Sequence, residues 1–169
     1  KETVKPKDYL EMIKLKTSIL FGAAAYGGAR IGGTNEDEAR ELENMATNVG
    51  LGFQIWDDYL DATASEDILG KPSGSDIRQG KRTLLVIEAL NRANSEQRKR
   101  LLEILDNKNS DEDIREAVDI MNECGALSEC HRQANQYLEG ARKVLLKYPE
   151  SEARTLFEEL LEYMVTRGH

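Results

Sequence analysis

The chain has 169 residues, a formal net charge of −8 and few aromatic residues. A chain this acidic does not match a general nucleic-acid binder, because that function needs clustered positive surface. The longest apolar stretch, residues 18–29, is far short of the ~20 residues that span a membrane, so we expect a soluble protein without a membrane span. The length suffices for one helical domain with its own core over residues 1–169.

Apolar residues recur at helical spacing along most of the chain, and no alternating strand pattern competes with them. Glycines 32–33 are expected to end the first helix, and Thr34 with Asn35 to cap the second. Ser110 and Asp113 resemble a capping box for a later helix. Short connections suit antiparallel neighbours, so the predicted fold is all-α, an antiparallel helical bundle. The predicted helices cover about residues 8–31, 34–61, 83–93, 96–105, 110–124, 127–145 and 152–166.

The most informative segment is residues 52–61, with the sequence GFQIWDDYLD. It places Asp57, Asp58 and Asp61 within about one helical turn. At ~100° per residue, Asp57 lies on the edge of an apolar stripe that includes Trp56, so Asp57 is expected to face partly inward. Adjacent unpaired carboxylates resist desolvation, and a divalent cation would relieve this. Magnesium fits best, because it accepts one or two carboxylates and completes its coordination with water and phosphate oxygens.

A glycine-rich loop, expected over residues 62–80, follows the acidic segment and brings cations close to it. Lys71, Lys81 and Arg82 could neutralise phosphate charge, and the loop glycines let backbone amides approach an anion. This arrangement predicts a diphosphate held between Mg²⁺ and lysine. The alternative interpretation is an acidic helix edge followed by an ordinary polar loop.

The two cysteines, Cys124 and Cys130, are six residues apart and do not share one helix face. The sole nearby histidine, His131, does not complete a zinc pattern. We therefore expect free thiols, which fit a reducing, cytoplasmic location.

The acidic segment, the loop and the helix start after it read in order as G-F-Q-x-x-D-D-x-x-D, G-K-P-x-G-x-D and G-K-R-T. This set resembles the second aspartate-rich motif of the trans-isoprenyl diphosphate synthases, the polyprenyl synthetase family. Lys16 and Thr17, ahead of Gly22 and three alanines, resemble another block of the family, and residues 163–167 resemble its C-terminal helix. Members of the family are longer and carry a further aspartate-rich motif in their N-terminal half, which this chain lacks. The resemblance is therefore to the C-terminal half.

The resemblance implies the C-terminal half of the isoprenoid synthase type I fold. It also implies a prenyltransferase, in which isopentenyl diphosphate condenses with an allylic diphosphate in an Mg²⁺-dependent reaction. The site residues that it implies are Asp57, Asp58 and Asp61 for the metal, Lys16, Thr17, Gln54 and Lys71 for catalysis, and these last four with Lys81 for substrate binding.

Because one motif is missing, this chain is expected to supply only half of an active site and to be inactive alone. A homo-oligomer such as a homodimer, or a partner chain that carries the first aspartate-rich motif, would complete the site. Two other classes stay open. One is a noncatalytic helical fragment or regulatory half-subunit; the other, less expected, is a type I terpene cyclase, whose N-D-x-x-S-x-x-x-E motif is absent from the sequence.

Several glycines interrupt predicted helices, at up to ~1 kcal/mol each relative to alanine. For Gly22, Gly27 and Gly28 we expect close packing of another helix or of substrate, and we favour helix packing. Gly50 and Gly52 are expected to keep a cavity open above the metal. Trp56 is expected to be a packing residue or a subunit contact.

Overall fold

The structure is a computed structural model that describes residues 4–64 and 73–166. Every regular element in those ranges is helical, which confirms the prediction of an all-α protein. None of the helices described there is both long enough and apolar enough to span a membrane. The elements are α1 (Pro6–Ile13), a π-helical turn (Lys14–Ser18), α2 (Ile19–Ile31), α3 (Glu36–Thr63), α4 (Ser75–Arg78), α5 (Leu84–Arg92), α6 (Ser95–Asp106), α7 (Asp111–Glu123), α8 (Ala126–Leu145) and α9 (Glu152–Thr166).

The helices begin at capping residues that the sequence largely predicts. At the start of α3, the Glu38 N–H donates to the Asn35 side chain at 3.0 Å. The predicted capping box of α7 is confirmed, since the Asp113 N–H donates to the Ser110 hydroxyl at 3.2 Å and the Ser110 N–H donates to the Asp113 carboxylate at 2.7 Å. A second capping box at Asn94 moves the start of α6 one residue ahead of its predicted place.

The expected loop of residues 62–80 contains a short helix, α4, that no sequence pattern signals. Gly74 and Gly80 flank it with φ values of 72° and 62°, which favour glycine. A Cβ at Gly80 would lie 2.6 Å from the Leu105 carbonyl oxygen, and one at Gly74 would collide with the Ile114 side chain. Both glycines therefore allow α4 to approach α6 and α7 closely.

The chain divides into two compact units. The divisions fall within α1, α3 and α8, so each of these helices belongs partly to both units. Among the described residues, the first unit combines the residues up to Tyr9 with Ile55–Arg132, and the second combines Leu10–Gln54 with residues 133–166. The expectation of a single domain over residues 1–169 stays a prediction.

Trp56 belongs to the first unit and is buried, with 1% of its surface exposed. Its ring stacks on Tyr59 at 5.0 Å between centroids and lies 5.2 Å from the His131 ring. Trp56 is therefore a packing residue, the first of the two roles expected for it. Cys124 and Cys130 are both free thiols, as predicted. Other buried apolar residues of the first unit include Leu84, Leu85, Val86, Leu101, Ile104, Ile114 and Met121.

The second unit is built on close contacts between α2, α3 and α8. A Cβ at Gly22 would collide with the Thr47 side chain, which confirms the packing expected at that glycine. Its core consists of Met45, Val49, Leu138, Ala141, Leu145, Leu161 and Met164.

Gly50 and Gly52 also lie in tight helix contacts. A Cβ at Gly50 would lie 2.7 Å from Ser18 Cα, and one at Gly52 would lie 3.1 Å from the Ala134 carbonyl oxygen. The prediction that these glycines hold a cavity open is therefore wrong, because neighbouring backbone occupies the space beside them.

Gly27 and Gly28 lie in open surroundings on α2. Among the residues that the structure describes, a Cβ at either position would meet nothing within 4 Å. The prediction of close helix packing is therefore wrong at both of these glycines, and packing against substrate stays a prediction.

The first predicted helix is continuous over its expected length but contains a π-helical turn at Lys14–Ser18. The Ile19 N–H donates to the Lys14 carbonyl, the i to i+5 spacing of a π turn. Ser18 is fully buried beside Gly50, and its hydroxyl donates to the Ile13 carbonyl at 3.4 Å. Such turns are frequent at functional sites, and this one contains the two residues singled out in the sequence, Lys16 and Thr17.

Candidate functional site

The three aspartates of α3 differ in burial. Asp57 is exposed, whereas Asp58 and Asp61 are 7% and 2% exposed. The prediction that Asp57 faces partly inward is wrong. Asp57 is exposed although it lies on the edge of the apolar stripe expected from the sequence, whereas Ile55 and Ala62, on the side opposite that stripe, are buried. Burial at this end of α3 therefore does not follow the single stripe.

Asp58 is bonded to a residue that the sequence analysis missed. The hydroxyl of Tyr9, 49 residues earlier, donates to Asp58 Oδ2, and both side chains are buried. Burial and the negative charge of Asp58 raise the pKa of Tyr9 well above its usual range, so the phenol stays a neutral donor. The spacing of Tyr9 and Ile13 places both on one helix face and could have signalled the burial of Tyr9, but not its partner.

Asp61 anchors the backbone that leads into α4. Its carboxylate accepts the Ser75 hydroxyl at 2.8 Å and the Asp76 N–H at 2.9 Å, one on each oxygen. Its carbonyl accepts the Gly74 N–H at 2.6 Å. A carboxylate at the first turn of a helix also meets the positive end of that helix. Asp61 therefore acts as a helix cap supplied from another element.

The predicted cations after the loop pair with acids of the first unit. Lys81 Nζ lies 2.6 Å from Asp76, the residue whose N–H donates to Asp61. Arg82 lies 2.6 Å from Asp106 and donates to the Gly80 carbonyl at 2.9 Å. The structure thus links Lys81 to the acidic segment through Asp76.

Lys71, the other lysine expected to bind diphosphate, lies outside the described residues. Its place in the site stays a prediction.

The remaining predicted site residues belong to the second unit. The Thr17 hydroxyl donates to Gln54 Oε1 at 3.2 Å, which joins the π-helical turn to α3. Thr17 and Gln54 are half-buried, and Lys16 is exposed. The structure therefore pairs two residues that the sequence analysis had singled out separately.

The donor set of the acidic segment fits a hydrated magnesium ion with few direct protein ligands. Asp58 and Asp61 accept hydrogen bonds from protein donors, and among the described residues no group of three or more His, Cys, Asp or Glu could hold a metal. Asp57 is the exposed carboxylate of the three. Mg²⁺ usually keeps several waters and binds one or two carboxylates together with phosphate oxygens. A closed cage of three carboxylates does not fit this arrangement.

Residues 1–121 match the sequence model of a family described as polyprenyl synthetase. The chain is 39% identical over 166 residues to a short chain isoprenyl diphosphate synthase of Methanothermobacter thermautotrophicus, covering 98% of this chain and 51% of that protein. It is 36% identical to a geranylgeranyl diphosphate synthase of Methanosarcina mazei, with 100% and 51% covered. The chain thus spans about half the length of the curated relatives it matches.

Solved structures give the same result for the fold. A geranylgeranyl pyrophosphate synthetase from Pyrococcus horikoshii superposes with a TM-score of 0.91 at 40% identity, over 99% of this chain and 51% of that one. A decaprenyl diphosphate synthase from Rhodobacter capsulatus gives 0.88 at 32% identity, over 99% and 52%. These matches confirm the predicted fold class, including its half-length character.

Proposed function

The chain belongs to the polyprenyl synthetase family, and from this premise we propose that it forms the diphosphate-binding half of a prenyl diphosphate synthase. In the proposed reaction, an allylic diphosphate loses its diphosphate as the C–O bond breaks. The double bond of isopentenyl diphosphate then attacks the resulting carbocation, and loss of a proton completes the longer chain. The names of the relatives, isoprenyl and geranylgeranyl diphosphate synthases, support this class of reaction.

The observation that carries the proposal is the contrast in exposure between Asp57, which is exposed, and its neighbours Asp58 and Asp61, which are buried. Asp57 would contact Mg²⁺ directly, while Asp58 and Asp61 would act on it through their charge or through water. When bound, the ion would stabilise the negative charge of the leaving diphosphate. Phosphate oxygens would complete its coordination.

Cationic and polar side chains of this chain would bind the diphosphate itself. We assign this role to Lys16, Thr17, Lys71 and Lys81, with Gln54 positioning the reactive groups through its bond to Thr17. Lys81 supports the assignment because its side chain is 52% exposed and lies beside Asp76, so its ammonium group is accessible to a phosphate.

Exposed apolar residues support the half-site character of the chain. In the second unit, Leu15, Leu20, Leu156 and Phe157 are 60%, 68%, 58% and 47% exposed. An apolar cavity of about 450 Å³ opens in the same unit, lined by residues of α2, α3, α8 and α9. Phe157 belongs both to these exposed residues and to the lining of the cavity, and exposed apolar surface can mark an interaction site. It fits a further helical layer, from a second copy or from a chain that carries the first aspartate-rich motif.

Calorimetry of inorganic pyrophosphate with the 169-residue chain tests the metal-diphosphate site. We expect pyrophosphate to bind much more tightly with Mg²⁺ than with EDTA, because the ion offsets its repulsion from the aspartates while the anion completes the coordination of the ion. Asp57→Asn should remove most of this Mg²⁺-dependent gain. Equal affinity with Mg²⁺ and with EDTA would refute the proposal.

A reconstitution experiment separates catalysis from binding alone. We expect the chain by itself not to condense isopentenyl diphosphate with dimethylallyl or geranyl diphosphate, and to do so once an N-terminal half from a relative is added. Product analysis by radiolabel measures this. Turnover by the chain alone would show a complete site, whereas metal-dependent binding without turnover in the mixture would favour the noncatalytic, regulatory half-subunit.

A further inference from the structure

We propose that Tyr9 is a positioning residue that holds Asp58 inward and thereby keeps Asp57 directed outward for Mg²⁺. The inference rests on the proposed function and adds a residue that the motif does not contain. Tyr9 lies at the start of the chain, in α1, whereas the acidic segment lies near the end of α3.

The contact is specific and buried. Tyr9 and Asp58 are each 7% exposed, and the phenol hydroxyl donates to Asp58 Oδ2. A carboxylate removed from water needs such a donor, because burial without hydrogen bonds is strongly unfavourable. Tyr9 therefore allows a charged aspartate to occupy an inward position in α3.

A tyrosine suits this position better than a cation would. Lysine or arginine would also satisfy Asp58, but either would cancel its negative charge beside the exposed Asp57. A neutral phenol donates a hydrogen bond and leaves that charge in place. The acidic segment then keeps the negative potential that attracts a divalent ion.

The direction of Asp57 follows from the anchoring of its neighbours. Consecutive residues of a helix diverge by ~100°, so a fixed inward direction for Asp58 determines where Asp57 points. Asp61, one turn later, is held by Ser75 and Asp76. Tyr9 and the α4 backbone thus hold this end of α3 from two elements, and Asp57 is the aspartate left exposed.

Tyr9→Phe tests the inference, because it removes only the hydroxyl. The measurement is the Mg²⁺ concentration that half-saturates binding of inorganic pyrophosphate, followed by calorimetry. We expect this concentration to rise about tenfold, in line with the loss of one hydrogen bond to a charged group. The matched control is Tyr26→Phe, which removes a tyrosine hydroxyl that donates to the exposed Glu36 at 3.0 Å. The control should leave the Mg²⁺ requirement unchanged.

The same substitution in an Asp57→Asn background separates positioning from a general structural effect. If Tyr9 acts through Asp57, Tyr9→Phe should produce no further change there. A tenfold loss that persists without Asp57 would overturn the inference, as would an unchanged Mg²⁺ requirement in Tyr9→Phe alone. If the parent chain binds pyrophosphate equally with and without Mg²⁺, the proposed function fails and the inference falls with it.

A second pair of variants keeps the inference testable if Tyr9→Phe does not fold. Asp58→Asn keeps an oxygen that can accept the Tyr9 hydroxyl, whereas Asp58→Leu does not. We expect Asp58→Leu to raise the Mg²⁺ requirement more than Asp58→Asn does. Equal losses in the two variants would show that only the charge of Asp58 matters and would overturn the role of Tyr9.

Discussion

Asp57→Asn and Asp61→Asn are predicted to affect different properties, although both remove one charge from the same motif. Asp57 is exposed, while Asp61 is 2% exposed and accepts a hydrogen bond on each carboxylate oxygen. We expect Asp57→Asn to weaken Mg²⁺-dependent pyrophosphate binding and to leave the free energy of unfolding within ~0.5 kcal/mol of the parent. Asp61→Asn should instead destabilise the fold.

The magnitude for Asp61→Asn follows from its two partners. An asparagine oxygen can accept either the Ser75 hydroxyl or the Asp76 N–H, and its amide group then faces the other donor. The change removes one hydrogen bond to a charged group, ~1.5–3 kcal/mol, and weakens the other, which gives a total of about 2–4 kcal/mol. With an m value of ~2 kcal/mol/M for urea, the unfolding midpoint should fall by about 1–2 M.

Urea unfolding followed by circular dichroism measures the stability of both variants, and calorimetry with pyrophosphate measures their binding. We expect Asp61→Asn to lower the free energy of unfolding more than Asp57→Asn does. Asp57→Asn should weaken pyrophosphate binding more than Asp61→Asn does, under conditions in which both variants are folded. Equal midpoints in the two variants would refute the assignment of Asp61 as a helix cap. A strongly lowered midpoint in Asp57→Asn would make that residue a structural acid.

Two further predictions concern stability. Gly50→Ala should destabilise the chain by about 1–3 kcal/mol, because its Cβ would meet the Ser18 backbone. Gly27→Ala, in open surroundings, should stabilise the chain by up to ~1 kcal/mol. Thermal unfolding measures both variants, and equal effects would contradict the close packing at Gly50. Burial, with the nearby charges of Glu88 and Asp58, raises the pKa of Cys130 to about 12. Unfolded chains lose this thiol proton near pH 9, so above that pH the folded form holds more protons and stability should fall by up to ~1.4 kcal/mol per pH unit. Cys130→Ala should flatten this slope in unfolding measured from pH 8 to 11, and an unchanged slope would show that other groups cause it.

Local patterns predicted the helices well because their signals are short-range. The box at Ser110 and Asp113, the cap at Asn35 and the helix of residues 152–166 all depend on neighbours within a few positions, and all are present. The short helix α4 was missed because it depends on contacts with Leu105 and Ile114 that no nearby residue announces. The same limit explains the errors at Gly27, Gly28, Gly50 and Gly52. A glycine shows that space is needed, but not which neighbour occupies it.

For the site, the sequence by itself determined the chemistry: three aspartates and a set of following cations, matched in order to one family. It could not decide which aspartate would be exposed, because helical periodicity assumes that one face is buried, and α3 near Asp57 is buried on several. The tertiary structure alone decided that Asp58 bonds to Tyr9, 49 residues away, and that Asp61 caps α4. The physical reason is that a buried carboxylate is defined by the donors folded around it, and these come from parts of the chain that have no fixed spacing from the motif.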